Sequence, residues 1–281
     1  MKILVTGGAG FIGSHLCERL IEEHDVFALD NYSLGTTKNH VNGVNYISGE
    51  TSDIDKLLPI VPDFIFHLGE YSRVEQSFRD VEMVMRSNKI GTLAVLEYVR
   101  KHPECKLSYA ASSTRFGDDG DNADASPYAW SKSSNVKMIQ NYADWFNIDY
   151  RITYFYNVYG GREIRTGQYA TIIGVFEEKY KNNQNLTVVS PGDQRRNFTN
   201  VNDVVDALIL VMDGQGDGYG IGSDESYSIL ELAKMFVSSD KITMLPPRKG
   251  NRMTSPIMSE KTKELGWKPK HKLSDYIKEI L

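Results

Sequence analysis

The sequence predicts an α/β protein, a doubly wound parallel sheet followed by a smaller C-terminal lobe of mixed α/β character. Three observations predict it. Strand-like apolar runs alternate with segments of helical spacing through the first two-thirds of the 281 residues. A glycine-rich turn follows the first strand-like run and opens the first helix. A carboxylate, Asp30, ends the second run.

In chain order, residues 2–6 form a short apolar strand. Residues 11–23 place Phe11, Ile12, Leu16, Leu20 and Ile21 on one side of a helix. DVFALD at 25–30 is a second strand, and residues 45–48 are a weaker third. FIFHL at 64–68 is an apolar strand punctuated by Pro59 and Pro62 before it. A long helix is expected at 81–101, a strand at 106–111, a second long helix at 126–146 and a strand at 150–155. Ser126 suits an N-cap and Pro127 the first helical position. Beyond 156 the rhythm loosens. Gly160-Gly161, Ser190-Pro191-Gly192 and the glycines of 214–222 break it, with helices still expected at 171–181, 202–212, 229–237 and 260–265. The expected division is a sheet domain at 1–156 and a smaller lobe at 157–281, between which the chain can cross.

Composition narrows the function. Apolar residues make up 41% and charged residues 25%, ordinary for a globular protein, and the net charge of -5 gives no attraction for a polyphosphate backbone. A nucleic-acid binder is therefore not expected. The densest basic spots, Arg195-Arg196 and Arg248-Lys249, suit one diphosphate. Cys17 and Cys105 sit in apolar segments, as reduced thiols of a cytoplasmic protein do. Neither the two cysteines nor the six scattered histidines have metal-ligand spacing, so no metal is expected. No apolar run reaches the ~18–20 residues of a membrane helix.

Gly7, Gly10 and Gly13 form G-x-x-G-x-x-G between strand and helix. The first allows a tight turn, the second a close approach to pyrophosphate and the third close packing of helix on strand. The helix start at Phe11 and Ile12 offers free N–H groups to an anion. Such a triplet alone is a common turn; its context points to a Rossmann-type dinucleotide site. Asp30, about 20 residues on, suits the adenosine ribose hydroxyls and would repel a 2′-phosphate, which favours NAD over NADP. Asn31, Ser33 and Gly35 follow directly and are expected to line the same ribose.

Tyr128 and Lys132 are spaced i and i+4, stacked about 6 Å apart along a helix face. Free tyrosine titrates near ~10, too high for a base at neutral pH, and a neighbouring ammonium and a cationic nicotinamide both favour the phenolate. The helix follows a strand that ends in Ser112-Ser113-Thr114. A hydroxyl there can share the reacting proton, and three hydroxyls in a row are also turn formers.

These residues resemble the NAD-dependent nucleotide-sugar epimerase/dehydratase family of extended short-chain dehydrogenases/reductases. The resemblance runs along almost the whole chain. TGGAGFIGSHL at 6–16 is similar to the family's opening, Leu29-Asp30-Asn31 to its second strand end, and Gly49-Glu50 to its Gly-Asp. Further matches are His67-Leu68-Gly69 to H-x-A, Asn88 with Gly91-Thr92 to N-x-x-G-T, and Ser112-Ser113 with Phe116-Gly117 to S-S-x-x-Y-G. Tyr156 to Gly160 resembles F-N-V-Y-G, Arg196-Asn197-Phe198 with Val201 and Asp203-Val204 resembles R-D-F-x-x-V-x-D-V, and Leu265 to Pro269 resembles L-G-W-x-P.

The resemblance implies bound NAD held by Gly7, Gly10, Phe11, Ile12, Gly13, Asp30, Asn31, Ser33, Gly35, Glu50, Thr51, Leu68, Gly69, Asn88, Tyr128 and Lys132. It implies Ser112, Tyr128 and Lys132 as catalytic residues. Ser72, Ser113, Thr114, Asn157, Arg196 and Arg252 would meet a nucleotide-diphosphate sugar, a UDP-sugar being favoured. The reaction expected is epimerisation, at C4, through a transient keto-sugar. Dehydratases of the family carry Asp-Glu after the catalytic Thr, and uronate decarboxylases keep the Glu. Here Ser113 and Thr114 stand instead, against both. Glu70-Tyr71-Ser72-Arg73 is bulkier and more polar than the family's usual segment, and Arg115 replaces an apolar residue; an altered sugar pocket is expected. A net dehydrogenase or reductase of the same fold, and a non-catalytic NAD-binding protein, are the rival readings; the second has no use for Ser112, Tyr128 and Lys132 together. By analogy with the family, the helices at 81–101 and 126–146 would pair with a second copy in a four-helix bundle.

Overall fold

In the computed structural model, which describes residues 1–120, 123–247 and 256–281, one parallel sheet organises the chain. Its strands are β1 (Lys2–Thr6), β2 (Asp25–Asp30), β3 (Asn45–Ser48), β4 (Phe64–His67), β5 (Lys106–Ser112), β6 (Tyr150–Phe155) and β7 (Gly216–Ile221). Their order is β3-β2-β1-β4-β5-β6-β7, every neighbour parallel. The chain winds outward from β1 to β3, then returns to β4 and winds the other way. The switch point lies between β1 and β4, where open parallel sheets place a ligand crevice at the strands' carboxyl ends.

The sheet is buried on both faces, which is why its strands read as apolar runs without polar alternation. Successive side chains still point to opposite faces. Leu4, Ile65, Leu107 and Ile152 meet the helices Gly91–Lys101 and Pro127–Phe146 on one side. Ile3, Val5, Phe64 and Phe66 share the other side's core with Leu16 and Leu20 of the helix Phe11–Leu20 and with Val204 and Leu208 of the helix Val201–Val211. A third core, around Ile173, Phe176, Leu186, Val188, Leu232 and Ile277, belongs to the smaller lobe.

Residues beyond 156 also contribute to the large sheet. The glycines of 214–222 were expected to break the pattern; instead β7 completes the large sheet beside β6. Glycine is needed there for close approach, since a Cβ on Gly220 would lie 1.9 Å from the Met258 carbonyl oxygen. The helix Val201–Val211 and Trp267 also pack with the first sheet. Asp203, fully buried, accepts hydrogen bonds from the Lys270 and His271 backbone N–H groups at 3.0 Å each, and its carbonyl accepts the Trp267 indole N–H at 2.8 Å. The chain thus enters the smaller lobe after β6, returns to the sheet at 201–222, and leaves again.

Three other differences are local. The helix expected at 81–101 is Val81–Val84, a π-helical turn at Met85–Ile90 and Gly91–Lys101. A C-terminal helix, Leu273–Ile280, was not foreseen. The helix expected at 11–23 stops at Leu20. Ser126 and Pro127 behave as the sequence implies: the Ser126 hydroxyl accepts the Ala129 N–H at 3.0 Å and Pro127 opens the helix.

Glu163 in the smaller lobe is 5% exposed and accepts a hydrogen bond from the Thr171 hydroxyl at 2.5 Å. That hydroxyl also caps the helix Ile172–Lys181 by accepting the Gly174 N–H at 3.0 Å. Burial pushes the Glu163 carboxyl up from 4.5 to about 7, against the opposing pull of the Thr171 and Gly160 hydrogen bonds and Arg165. Between those values the folded chain retains a proton that the unfolded chain has released, so stability falls as pH rises through this window. At about 1.4 kcal/mol per pH unit the effect amounts to ~3.5 kcal/mol at most. Glu163→Gln should therefore gain stability relative to wild type between pH 5 and pH 8 (about the two ends of that window). Thermal unfolding of both proteins across this range checks it; parallel curves would contradict it.

Candidate active site

The turn after β1 is shaped by backbone contact. Gly7 has φ 73°, and a Cβ there would sit 2.8 Å from Gly69 Cα. A Cβ on Gly13 would sit 2.1 Å from the Gly7 carbonyl oxygen. Neither position accommodates a side chain without moving the backbone. Gly10 is the N-cap of the helix Phe11–Leu20 and forms no side-chain cap bond. The first-turn N–H groups lack helical partners by construction, and Gly10, Phe11, Ile12 and Gly13 line the cleft above the strand ends.

Asp30 closes β2 at 7% exposure. Its Oδ2 accepts the Ala9 N–H at 2.9 Å and its Oδ1 the Tyr32 N–H at 2.7 Å, which fixes the carboxylate between the glycine turn and the next loop. Burial raises its pKa above the usual carboxylate value, and those two backbone bonds oppose the rise. Gly35 passes so close that a Cβ would lie 2.7 Å from Asp30 Oδ1. The Asn31 amide donates to Glu50 Oε2 at 3.1 Å. Asn31, Ser33, Gly35, Glu50 and Thr51 line this end of the cleft, and Leu68 and Gly69 line its floor.

Ser112 ends β5, and Tyr128 and Lys132 lie on the first turns of the helix Pro127–Phe146. All three line the same cleft and are 6–8% exposed. Ser112 Oγ accepts from the Thr114 hydroxyl at 3.0 Å and the Thr114 N–H at 3.3 Å, so its own O–H is left to donate. The Lys132 ammonium donates to the Glu70 carboxylate and to the Ala110 carbonyl, and lies 5.0 Å from the Tyr109 ring centroid.

A buried chain of hydrogen bonds stands behind Lys132. The Gly69 N–H donates to Thr6 Oγ1 at 2.9 Å, leaving the Thr6 hydroxyl to donate to His67 Nδ1 at 2.8 Å. His67 Nε2 then donates to Thr92 Oγ1 at 3.0 Å, and the Thr92 hydroxyl donates to Glu70 Oε1 at 2.6 Å. This direction assigns the Nε2–H tautomer from the network. It suits a neutral imidazole, because burial pushes His67 down to about 4, and Lys132 adds to this against an opposing effect of Glu70.

At the far end Ser72, Ser113, Thr114, Asn157 and Arg196 line the cleft. Asn157 has φ 27° and donates its amide to the Asn197 carbonyl at 3.0 Å. Arg252 lies outside the described residues. Asn88 is expected from the sequence to contact the cofactor. It is fully buried and does not line the cleft. Its amide accepts the Tyr71 N–H at 2.7 Å and donates to the Tyr71 carbonyl at 3.1 Å and to Ser131 Oγ at 2.9 Å. It therefore pins the loop after β4 to the helix Pro127–Phe146. Arg115 does not line the cleft; it donates to the Tyr154 hydroxyl at 3.1 Å and approaches Asp217. Glu70 has its side chain 1% exposed, and Tyr71, Ser72 and Arg73 line the cleft beside it. Arg73 Nε donates to the Tyr169 carbonyl at 2.7 Å. Sequence reasoning did not include Arg73 and Tyr169 among the site residues; the polarity of 70–73 was the available signal.

The cleft measures about 1960 Å³, well above the ~300–1,000 Å³ of a pocket for one small ligand, so it has room for two extended molecules end to end. Among the described residues no group of three His, Cys, Asp or Glu side chains suits a metal, and no helix is long and apolar enough to cross a membrane.

The profile of the NAD dependent epimerase/dehydratase family matches residues 3–222. A putative UDP-glucose 4-epimerase of Methanocaldococcus jannaschii is 30% identical over 99% of this chain and 97% of its own length. UDP-glucuronic acid decarboxylase 3 of Arabidopsis thaliana is 30% identical over 98% of this chain and 86% of its own length. The crystal structure of the Thermotoga maritima UDP-glucose 4-epimerase with UDP-glucose superposes with a TM-score of 0.91 at 29% identity, covering 99% of this chain and 96% of that one. NAD is the family's cofactor, and the cradle fits it: the glycine turn admits no Cβ at Gly7 or Gly13, an uncapped helix start faces the cleft, and a buried carboxylate stands at the end of β2. The chain belongs to the NAD dependent epimerase/dehydratase family, enzymes built on this Rossmann-type sheet.

Proposed function

We propose that this protein is a nucleotide-sugar epimerase that inverts the sugar at C4, with a UDP-sugar as substrate. One observation carries the reading. The glycine turn and Asp30, the Ser112, Tyr128 and Lys132 side chains, and Asn157 and Arg196 line one continuous cleft in that order of role, cofactor, chemistry, substrate. The residues after Ser112 are hydroxyl-bearing rather than acidic, so no carboxyl there is placed to eliminate water. Relatives at 30% identity carry different activities, among them epimerase and decarboxylase, and this acid-free strand end favours epimerisation.

Bound NAD supplies the reversible two-electron chemistry at the sugar carbon. Tyr128 as phenolate takes the proton from the sugar hydroxyl and returns it after the keto-sugar has turned. Ser112 donates a hydrogen bond to the reacting oxygen. Lys132 supports the phenolate electrostatically and meets the nicotinamide ribose. Arg196 supplies a charge-assisted partner for the diphosphate, as would Arg252. Asp30 takes the adenosine ribose.

We further propose a homodimer through the helices of 81–101 and Pro127–Phe146. Met83, Ile90 and Leu93 on one helix and Trp130 and Trp145 on the other are between 42% and 64% exposed, an apolar surface that a second copy would cover.

Proton NMR with UDP-, dTDP- and GDP-sugars, and NAD only at enzyme concentration, tests the reaction. Conversion of a sugar to its C4 epimer over many turnovers is expected. Conversion that stops near one turnover with NADH accumulating would identify a net dehydrogenase instead. Tyr128→Phe should keep its NAD and lose roughly 10²–10⁴ in kcat. Sedimentation should give a dimer for the wild type, and Ile90→Lys should move it toward monomer; a monomeric wild type would sink the dimer proposal.

A further inference from the structure

We propose that Glu70 is a positioning residue for this reaction, one whose buried carboxylate orients the Lys132 ammonium and offsets the positive charge gathered around the Tyr128 phenol. The proposal rests on the catalytic reading of Tyr128 and Lys132 given above.

The pair is built into the interior. The Lys132 and Glu70 side chains are 7% and 1% exposed. Glu70 Oε2 takes the ammonium, while Oε1 accepts from Thr92 Oγ1 at 2.6 Å and the Asn135 amide at 2.9 Å. A buried ion pair contributes little net stability against apolar side chains, but loss of one partner leaves an uncompensated charge. The pair therefore fixes geometry more than it stabilises. An ammonium has three N–H donors. Glu70 and the Ala110 carbonyl engage two of them, which leaves the third for the cleft.

The charges around Tyr128 give the carboxylate its second task. Arg73 brings a guanidinium to the same cleft as Tyr128, where burial lowers its pKa and Tyr128, Tyr71 and Glu163 oppose that lowering. Among the described residues Arg73 forms no ion pair; its hydrogen bonds go to Tyr169 and Ser72. Lys132 is the second cation, one helical turn from Tyr128. Lys89 faces the same cluster from the π turn, donating to Asn135 Oδ1 at 2.7 Å, and burial lowers its pKa. His67 from β4 is neutral, and burial holds Tyr109 from β5 in its neutral phenol form. Glu70 is thus the buried carboxylate paired with Lys132, while Glu163 is the acid that faces Arg73. Without Glu70 the Lys132 ammonium would act on the phenol with no paired carboxylate.

Glu70→Gln keeps the shape and one of the two acceptor oxygens while removing the charge. The test follows phenolate absorbance against pH in the NAD-bound protein, with Tyr128→Phe subtracted to isolate the one band; it needs no sugar substrate. The Tyr128 midpoint should move to lower pH by about one unit in Glu70→Gln, and Glu70→Asp, which keeps the charge, should titrate with the wild type. Coincident midpoints for Glu70→Gln and wild type, or a rise, overturn the proposal while leaving Tyr128 as base. If Tyr128→Phe removes no titrating band, the catalytic reading and this proposal fall together. A crystal structure of the NAD-bound wild type checks the geometry without any variant. Glu70 within hydrogen-bond distance of Lys132 Nζ supports the proposal, and a separated pair overturns it.

Discussion

At the sheet's switch point the exits of β1 and β4 touch backbone to backbone, and the site is assembled around that contact. A Cβ on Gly7 would meet Gly69 Cα, and a Cβ on Gly69 would lie 2.8 Å from the Gly7 nitrogen. Side chains on both would wedge the two strands apart where they diverge. Because nothing intervenes, the glycine turn can curl directly over the end of β1, and the loop after β4 can start from the same point. The cofactor cradle and the Glu70–Arg73 segment therefore share one origin.

The hydrogen-bonded chain from Gly69 through Thr6, His67 and Thr92 to Glu70 carries that origin to Lys132 on the helix Pro127–Phe146. The Thr6, His67, Thr92 and Glu70 side chains are buried polar groups, and each would be costly unpaired. Their mutual satisfaction leaves few alternative arrangements. Asn88 and Asn135 brace the same region from two helices, Asn88 through the Tyr71 backbone and Asn135 through Glu70 and the Asn88 carbonyl. The π turn at Met85–Ile90 sits where Asn88 makes these bonds. π turns are often found at functional sites, and here Asn88 fixes the loop that carries Tyr71 and Arg73.

The large sheet was legible because its signals are local and periodic. Apolar runs, a glycine triplet, Ser126-Pro127 and an i,i+4 pair each occupy a few consecutive residues, and each formed the element it predicts. What was hidden depends on distant partners. Gly220 of β7 is pressed by residues 258–259, a contact across about 40 positions that no local window carries. Asn88 was matched to a motif by spacing, but its role is set by which side of the helix faces Tyr71. The polarity of Glu70 to Arg73 was visible, whereas its division into one buried carboxylate and one cleft-facing guanidinium needed the fold.

The path of the chain also bears on how the cleft's two ends relate. The substrate end draws on Asn157, just after β6, and on Arg196, which precedes the return to the sheet. Both are tied to elements of the large sheet at short range. Thr199 and Asn200 pair in parallel with Val158 and Tyr159, and the next residues enter the helix Val201–Val211, which packs on β6 and β7. Asp203 then clamps the segment around Trp267 and His271 from below. A lobe attached by one linker would be free to swing, as domains with small interfaces do. Here the chain passes between sheet and lobe three times, so the residues assigned to substrate and those assigned to cofactor are referenced to one sheet, as a reaction between two bound partners requires.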